Sequence, residues 1–391
     1  METKHINFFT DLLGSDNAYF DKAHKLAYCY DATRKRYEPD GVLFPRNEDD
    51  VSKILKYCND NKIIIIPRGA GSGFTGGSLA HNGGVVLAFE KHMNKILEID
   101  MENMVAVVQP GVINMDLQKA AMEKGLFYPP DPASENYSTL GGNVAENSGG
   151  MRAAKYGITK DYVMALRAVL PNGDIIRAGK RTIKDVAGYN VAGILIASEG
   201  SLAVITEITL KLLSKPKFKK TAMGVFPSVE AAMNAVYKTM AAGVTPVAME
   251  FLDNLSIKAV EQKFNKGLPV NAGAILITDV DGNLQEQIEQ DLGVIERVFK
   301  ENGANELQNG MRKFDEEGIQ KIYSIVNNNV RDLQSRVEKL RELSNEYNSF
   351  TNIDENAKGN VKFIMMIDSL RKQEEKKEQA ILSTEIKKEE E

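Results

Sequence analysis

Residues 67–80 of the chain read PRGAGSGFTGGSLA and follow directly on the apolar run KIIIIP. The stretch contains five glycines, Gly69, Gly71, Gly73, Gly76 and Gly77. Glycine has no Cβ atom to keep a ligand away from the backbone. It also permits positive φ angles, so successive N–H groups can point into one concavity. Such a concavity suits a pyrophosphate, and Arg68 would add charge to it or order the loop. The alternative, a flexible surface turn, is disfavoured because five glycines against a buried strand would be costly without an occupant.

The glycine-rich stretch does not fit the dinucleotide-binding fingerprint G-x-G-x-x-G. No helix is predicted to open inside it, and no acid follows at the distance that a ribose contact needs. Around the stretch, strands and helices alternate. We predict strands at GVLFP, KIIIIP (buried on both faces), GGVVLAF, KILEID and VAVVQPG, and helices at 47–61, capped by Asn47, and at 113–125, ending at Gly125.

The first domain is predicted to extend over residues 1–216. One or two amphipathic helices open it, and a hairpin with Asn172-Gly173 at its turn lies near its end. A long strand then leads to Lys215-Pro216.

The pattern restarts in residues 217–305. We predict strands at KKTAMGVFP, VAMEFLD and AGAILITDVDG, and helices at SVEAAMNAVYKTMAAG, capped by Ser228, and at NLQEQIEQDLGVIERVFKENG. This order favours a small α+β sheet with helices on one face.

Residues 306–391 are predicted to be a helical, coiled-coil-like tail. Charge rises there, and apolar residues recur at steps of three or four: Ile319, Ile322, Val326, Val330, Leu333, Val337, Leu340 and Tyr347. The last residues, RKQEEKKEQAILSTEIKKEEE, indicate a solvated helix.

Three further segments carry unusual composition. PPDPASENYSTLGGNVAENSGG, residues 129–150, is rich in Pro, Gly, Ser and Asn, so its backbone and short side chains could hydrogen-bond a polar heterocycle. Read alone, it could equally be a long ordered loop. KYGITKDYV spans residues 155–163, and ASEGSLAVIT spans residues 197–206, with a turn at Glu199-Gly200 before an apolar strand.

Together the four segments, in this order and spacing, resemble the FAD-binding domain of the vanillyl-alcohol-oxidase-like flavoproteins, in particular the glycolate oxidase large-subunit and D-lactate dehydrogenase group. The resemblance covers about residues 20–305. It implies a fold of class α/β and α+β: a two-part FAD-binding domain, then a partial α+β substrate domain and the helical tail. It implies that the first loop cradles the FAD pyrophosphate, that the second segment follows the pyrophosphate and flavin, and that the Glu199 region contacts the adenine and ribose.

The resemblance assigns cofactor binding residue by residue. The assigned positions are Pro67, Arg68, Gly69, Ala70, Gly71, Ser72, Gly73, Gly76, Gly77, Ser78, Pro132, Ala133, Ser134, Thr139, Gly141, Gly142, Asn143, Asn147, Ser148, Gly150, Tyr156, Gly157, Glu199, Gly200 and Ile205. Some relatives attach FAD through a histidine where this chain has Ser72, so non-covalent FAD is implied. His81 and His92 are interpreted as surface or hydrogen-bonded histidines.

The histidine motifs that supply chemistry in the resembled group are missing. The chain has four histidines, His5, His24, His81 and His92, and none after residue 92. Val280-Asp281-Gly282-Asn283 resembles a trace of one motif, H-x-G-D-G-N-x-H, and is interpreted as a strand end with an Asp-Gly turn. We therefore predict no metal site and name no catalytic residue. The family's closing segments are expected to be replaced, by a deletion, a fusion or an assembly artefact.

Three hypotheses follow for the function. The first is a flavoenzyme that oxidises a small 2-hydroxy acid of the glycolate or D-lactate type and passes electrons to a partner subunit, an iron–sulfur acceptor or a quinone. The second is a non-catalytic FAD-binding subunit that assembles with a partner. The third is a truncated or chimeric product. A reductase of an enolpyruvyl sugar, which would use a nicotinamide, ranks last.

Charge, cysteine content and hydropathy indicate which partners and which cellular compartment to expect. A net charge of -5 and a pI near 5.7 argue against a nucleic-acid partner. Cys29 and Cys58 cannot form a disulfide framework and are interpreted as buried, reduced thiols. The N-terminus does not read as a signal peptide, and no segment approaches the roughly 20 apolar residues of a membrane span. We expect a cytoplasmic protein.

Overall fold

The computed structural model describes residues 1–265 and 267–305. Its strands are β1 Ala18–Tyr19, β2 Gly41–Leu43, β3 Ile65–Arg68, β4 Val85–Ala88, β5 Ile96–Asp100, β6 Val105–Val108, β7 Leu126–Phe127, β8 Val163–Val169, β9 Ile175–Gly179, β10 Val204–Lys211, β11 Leu213–Ser214, β12 Phe218–Phe226, β13 Ala248–Asp253 and β14 Ala274–Gly282. Its helices are α1 Thr3–Leu13, α2 Lys22–Ala27, α3 Glu48–Asn61, α4 Asn114–Glu123, α5 Leu140–Glu146, α6 Ala153–Tyr156, α7 Val191–Leu195, α8 Val229–Ala241, α9 Asn254–Phe264 and α10 Gln285–Glu301.

The first sheet has the order β1-β2-β4-β3, with β2, β4 and β3 parallel and β1 antiparallel. Helix α3 begins after Asn47, whose side chain accepts the Asp50 N–H at 2.9 Å, so the predicted cap is confirmed. The prediction that KIIIIP is buried on both faces is wrong. Ile66 is 6% exposed, but Ile64 is 48% exposed. Strand β3 lies at the edge of the sheet, so its side chains are covered by fewer neighbours.

The second sheet is antiparallel, with the order β5-β6-β10-β8-β9. Strands β8 and β9 form the predicted hairpin, and Gly173 adopts φ +89° at its turn. Val108, Leu166 and Ile208 of this sheet pack against α4 and α5 through Leu117 and Leu140. The two sheets together are the two-part first region that the sequence predicts.

The segment 129–150 is more regular than a long ordered loop. Residues Leu140–Glu146 form α5, and Thr139 caps it by accepting the Gly142 N–H at 3.3 Å. Gly141 and Gly142 lower the helix propensity of the segment, which hides a helix behind an otherwise recognisable N-cap. The sequence also gave no prediction for α9, although Asp253 accepts the Ser256 N–H as its cap.

The third sheet is antiparallel, with the order β12-β14-β13. Its three strands, α8 with the Ser228 cap, and α10 all confirm predicted elements. The core of this region joins Phe226 and Leu276 of the sheet to Ala232 and Ala235 of α8 and to Phe299 of α10. The Asp-Gly turn is wrong at Asp281, because β14 continues to Gly282 and Asp281 is paired with Lys219 of β12.

The boundaries 1–216 and 217–305 stay predictions, although β11 and the start of β12 lie on either side of residue 216. The predicted seam and tail at 306–391 lie outside the described residues. Among the described helices, none has both the length and the apolar character needed to cross a bilayer. Cys29 and Cys58 are both buried and unbridged.

Candidate functional site

A groove lies where β3, α5 and the turn before β10 meet. It brings together most of the predicted residues. Those that line it are Pro67, Arg68, Gly69, Ala70, Gly71, Ser72, Gly73, Gly77, Ser78, Ser134, Thr139, Gly141, Gly142, Asn143, Ser148, Glu199, Gly200 and Ile205. Residues far apart in the chain thus share one concave surface.

The remaining predicted residues do not line this groove: Gly76, Pro132, Ala133, Asn147, Gly150, Tyr156 and Gly157. Gly76 lies beside the His81 ring, and Asn147 accepts the Lys160 N–H at 2.9 Å. The carbonyl of Pro132 accepts the Glu135 N–H at 2.7 Å, and Ala133 follows it in the same turn. Their cofactor contacts stay predictions.

Three of these residues contact carboxylates. Gly150 packs against Asp131, where a Cβ atom would stand 2.3 Å from the carboxylate oxygen Oδ1. Gly157 adopts φ +81° beside the carboxylate of Asp161. The hydroxyl of Tyr156 donates to Asp281.

Sequence reasoning missed part of the lining: Phe89, Pro110, Ser138, Ala145, Glu146, Ala203 and Val204. Glu146 had a usable signal. It lies four residues after Gly142 on a helix that Thr139 caps, and residues at that spacing share a helix face. Phe89, Pro110 and Val204 carry no local signal, because only their position in the fold brings them to the groove.

Close backbone approach builds the floor of the groove. A Cβ atom at Gly69 would stand 2.3 Å from Thr139 Oγ1, so only glycine lets the loop pack on the start of α5. Gly71 adopts φ +67°, in the left-handed region that glycine favours. The N–H groups of residues 70–73 donate to no atom of the described chain. The hydroxyl of Ser138, which is 2% exposed, also lacks a partner there.

Arg68 lies beneath the loop and is 5% exposed. Its Nη1 lies 3.3 Å from Ser78 Oγ, and its guanidinium lies 5.6 Å from the centre of the Tyr28 ring. A Cβ atom at Gly71 would stand 2.2 Å from Arg68 Nη2, so the guanidinium packs directly against the loop. Burial lowers the pKa of Arg68, and the charge of Asp31 opposes that shift. Arg68 therefore orders the loop from below.

Two carboxylates lie against the glycine-rich loop, where a Cβ atom at Gly73 would stand 2.9 Å from Glu146 Oε1 and one at Gly77 2.5 Å from Glu199 Oε2. Thr75 Oγ1 donates to Glu146 Oε1 at 3.1 Å and to Glu199 Oε2 at 3.0 Å. Burial raises the pKa of Glu146, and the nearby charge of Glu199 raises it further. Carboxylates accept hydrogen bonds from hydroxyl and amino groups. The groove thus offers N–H donors suited to phosphate oxygens and, beside the same loop, carboxylate acceptors suited to hydroxyl groups.

A buried polar network supports α5 from behind. Asn143 Nδ2 donates to Asn114 Oδ1 at 3.0 Å, and Asn114 Nδ2 donates to the Pro130 carbonyl at 3.0 Å. Asp131, which is 4% exposed, accepts the Arg152 N–H at 3.1 Å. Burial raises the pKa of Asp131 to about 7, against the opposing charge of Arg152. These contacts fix the segment 129–150 along the groove.

No histidine lines the groove, and the described residues contain no group of three or more His, Cys, Asp or Glu side chains arranged to hold a metal ion. His92 Nε2 lies 2.6 Å from Asn17 Oδ1, and His81 is exposed and packs on the ring of Tyr37 at 4.2 Å. Both histidines agree with the surface or hydrogen-bonded interpretation.

Residues 39–179 match the FAD binding domain family, and residues 215–387 match the C-terminal domain of FAD linked oxidases. The second match runs past residue 305, beyond the part of the chain that the structure describes. Together the two matches cover the groove residues from Pro67 to Ser148 and the third sheet, and the groove residues between 199 and 205 lie between the two matches.

Two curated relatives agree with these matches. The chain is 46% identical to the glycolate oxidase subunit GlcD of Bacillus subtilis (strain 168) over 296 residues, which is 75% of this chain and 63% of that protein. It is 38% identical to a D-lactate dehydrogenase of Anaerostipes hadrus over 272 residues, 68% of this chain and 57% of that protein. The chain thus spans about three fifths of the length of these relatives.

Solved structures agree on the fold. A p-cresol methylhydroxylase superposes with a TM-score of 0.67 at 20% identity, covering 79% of this chain and 65% of its own. A 4-ethylphenol oxidase from Gulosibacter chungangensis superposes with a TM-score of 0.66 at 19% identity, covering 83% of this chain and 68% of its own. At these identities the likeness concerns the fold alone.

Proposed function

We propose a function from one premise: the chain belongs to the FAD-linked oxidoreductases of the vanillyl-alcohol-oxidase-like superfamily, and its cofactor is FAD. On that premise the chain oxidises a small 2-hydroxy acid of the glycolate or D-lactate type. The observation that carries the proposal is the groove, which joins open N–H donors to carboxylate acceptors on one surface.

The groove residues fit FAD. The N–H groups of residues 70–73, braced by Arg68, would bind the pyrophosphate. Glu146 and Glu199 would accept hydrogen bonds from the ribose or adenine. Ser138, with its free hydroxyl, would donate to an acceptor of the cofactor. When bound, FAD supplies the acceptor for the hydride that leaves the hydroxyl-bearing carbon of the substrate. The attachment is non-covalent, since Ser72 cannot serve as a histidine tether.

The proton of the substrate hydroxyl needs a base. The sequence has no histidine after His92, so the family's histidine base is absent from residues 93–391. That observation favours a second candidate function, an FAD-binding subunit that carries the cofactor without turning over a hydroxy acid by itself. In that case a partner subunit would complete the active site.

Electrons must leave the reduced cofactor for an acceptor. The Bacillus subtilis relative is by name a subunit of glycolate oxidase. By analogy, we place a partner subunit, such as an iron–sulfur protein, beside this chain. The unbridged Cys29 and Cys58 suit a reducing compartment, which supports a cytoplasmic location.

The test begins with purified protein reconstituted with FAD and freed of excess cofactor. A protein-bound flavin absorbance band is expected, and acid precipitation should release all of the flavin into the supernatant. Anaerobic glycolate or D-lactate should then bleach the band. A flavin band that neither glycolate nor D-lactate bleaches would support the FAD-binding subunit instead. Failure to retain FAD would overturn the assignment of the groove.

A further inference from the structure

Asp281 joins the third sheet to the first region of the chain. Lys155 Nζ donates to Asp281 Oδ1 at 2.5 Å and to the Asp281 carbonyl oxygen at 2.6 Å. The hydroxyl of Tyr156 donates to Asp281 Oδ2 at 2.8 Å and to Oδ1 at 2.9 Å. One carboxylate of β14 is thus held by two consecutive residues at the end of α6.

The contact is partly buried, and the carboxylate of Asp281 is its most enclosed group. The side chain of Asp281 is 6% exposed, and that of Lys155 is 30% exposed. A buried carboxylate is strongly destabilising when a partner is removed, because its charge is left uncompensated. Burial raises the pKa of Tyr156, and the hydrogen bond to Asp281 raises it further, so the phenol stays a protonated donor.

The side chain of Asp281 bonds to Lys155 and Tyr156 of the first region, although the neighbouring strand of its own sheet also carries a lysine. Lys219 of β12 is paired with Asp281 in the strand register. Its Nζ instead lies 3.0 Å from Asp279 Oδ2, on the same face of β14. Asp281 is therefore left to Lys155 and Tyr156.

Helix α6 also reaches the groove segment on its other side. Arg152, which precedes α6, donates its N–H to Asp131, and its guanidinium lies 5.2 Å from the centre of the Phe127 ring. Phe127 packs edge-on against Tyr156, with ring centres 5.5 Å apart. A continuous set of contacts thus runs from Asp131, inside the segment 129–150, to Asp281.

We propose that Lys155, Tyr156 and Asp281 form an interdomain latch, which holds the β12-β14-β13 sheet in a fixed position beside the segment 129–150. Tyr156 and Lys155 are positioning residues in this assignment, not contacts of the cofactor. The consequence for catalysis rests on the proposed function: a broken latch slows flavin reduction by the hydroxy acid while FAD binding persists. The mechanical role itself does not depend on that activity.

The test uses the full-length protein with FAD and two variants, Tyr156→Phe and Asp281→Asn, alone and combined. Mass spectrometry follows trypsin cleavage after the exposed Lys217, which immediately precedes β12. Each variant should speed this cleavage about tenfold, the size expected for a lost hydrogen bond to a buried charge. The double variant should be no faster than the faster single one, because both changes remove one interaction.

Two control variants remove the same kinds of group, a lysine amine and a tyrosine hydroxyl, at positions outside the latch. Lys220→Met removes a lysine whose partner, Glu289, lies in the same third-sheet region, and Tyr237→Phe removes a phenol that is 72% exposed. Both should leave cleavage after Lys217 unchanged. Lys155→Arg, which keeps the charge, should retain slow cleavage, whereas Lys155→Met should not.

A second readout separates positioning from cofactor binding. The dissociation constant for FAD, measured by flavin fluorescence, should change by less than about threefold in Tyr156→Phe. Cleavage no faster than in the controls, or strictly additive effects, would overturn the latch. So would a loss of FAD affinity of tenfold or more, since it would return Tyr156 to the cofactor site. If no hydroxy acid reduces the wild-type flavin, the proposed function fails while cleavage and FAD affinity still decide the latch.

Discussion

The groove and the third sheet are built on opposite principles. In the groove, Gly69 and Gly71 matter for the atoms they lack, since their backbone packs against Thr139 and Arg68 without a Cβ. In the sheet, Phe226 and Phe299 matter for the volume they fill, with ring centres 5.3 Å apart in a buried core. A change in the groove should therefore act first on the ligand, and a change in the sheet should act first on stability.

The largest effect is expected where volume is lost from the sheet. Phe299 is 0% exposed, and Phe299→Ala should lower the free energy of unfolding by about 3–5 kcal/mol. Denaturant titration of the FAD-bound protein measures the loss. Leu284→Ala, at a residue 70% exposed, should change it by only about 0.5 kcal/mol. Equal losses in the two variants would contradict the assigned core.

The same contrast explains what the sequence could predict. The caps at Asn47 and Ser228 and the alternation in the strands are local signals, and the elements they mark are present. Helix α5 was missed because Gly141 and Gly142 are poor helix formers. Asp281 was misread as a turn because the backbone pairing that keeps it in β14 is made with Lys219 of β12, which is distant in the sequence.

For the groove, sequence reasoning succeeded where the physical requirement is local. A glycine needed for close approach is visible in the sequence itself, as at Gly69 and Gly77. Phe89, just after β4, and Val204, at the start of β10, were missed because any apolar residue at these positions would have looked the same. The pattern reveals the parts of a site that demand a residue type, and tertiary structure decides the rest.

The next largest expected effect is on the pH dependence of stability, through the buried carboxyl group of Asp131 beside the groove. Burial raises the pKa of Asp131 from 3.8 to about 7, so the folded protein holds a proton there that the unfolded chain has released. This contribution to stability is complete below about pH 4 and is lost as pH rises through 7, an upper bound of about 4 kcal/mol. Asp131→Asn should flatten that fall in melting temperature between pH 4 and 8. Glu98→Gln, at an exposed ion pair with Arg181, serves as the control. An unchanged slope in Asp131→Asn would refute the assignment.

A single methyl group should then separate ligand binding from folding. Gly69→Ala places a Cβ atom 2.3 Å from Thr139 Oγ1, and overpacking of this kind costs about 1–3 kcal/mol. FAD affinity, measured by fluorescence titration, should fall roughly 10- to 100-fold.

A second substitution should restore part of the FAD affinity that Gly69→Ala loses. Combining Gly69→Ala with Thr139→Ala removes the obstructing hydroxyl, at the cost of about 1 kcal/mol for the lost helix cap. The double variant should therefore bind FAD more tightly than Gly69→Ala alone. Weaker binding in the double variant would show that the Gly69 contact with Thr139 does not set the affinity.

The smallest effect has the opposite sign. Gly293 lies inside α10, and no heavy atom stands within 4 Å of the position that a Cβ would take. Gly293→Ala should therefore raise the free energy of unfolding by about 0.5–1 kcal/mol, because alanine loses less backbone entropy in a helix. Urea titration measures the gain, and FAD affinity should not move. The same methyl group would thus weaken binding at Gly69 and strengthen folding at Gly293. A loss of stability in Gly293→Ala would mean that this face of α10 is covered, and the contrast between the two regions would then fail at this position.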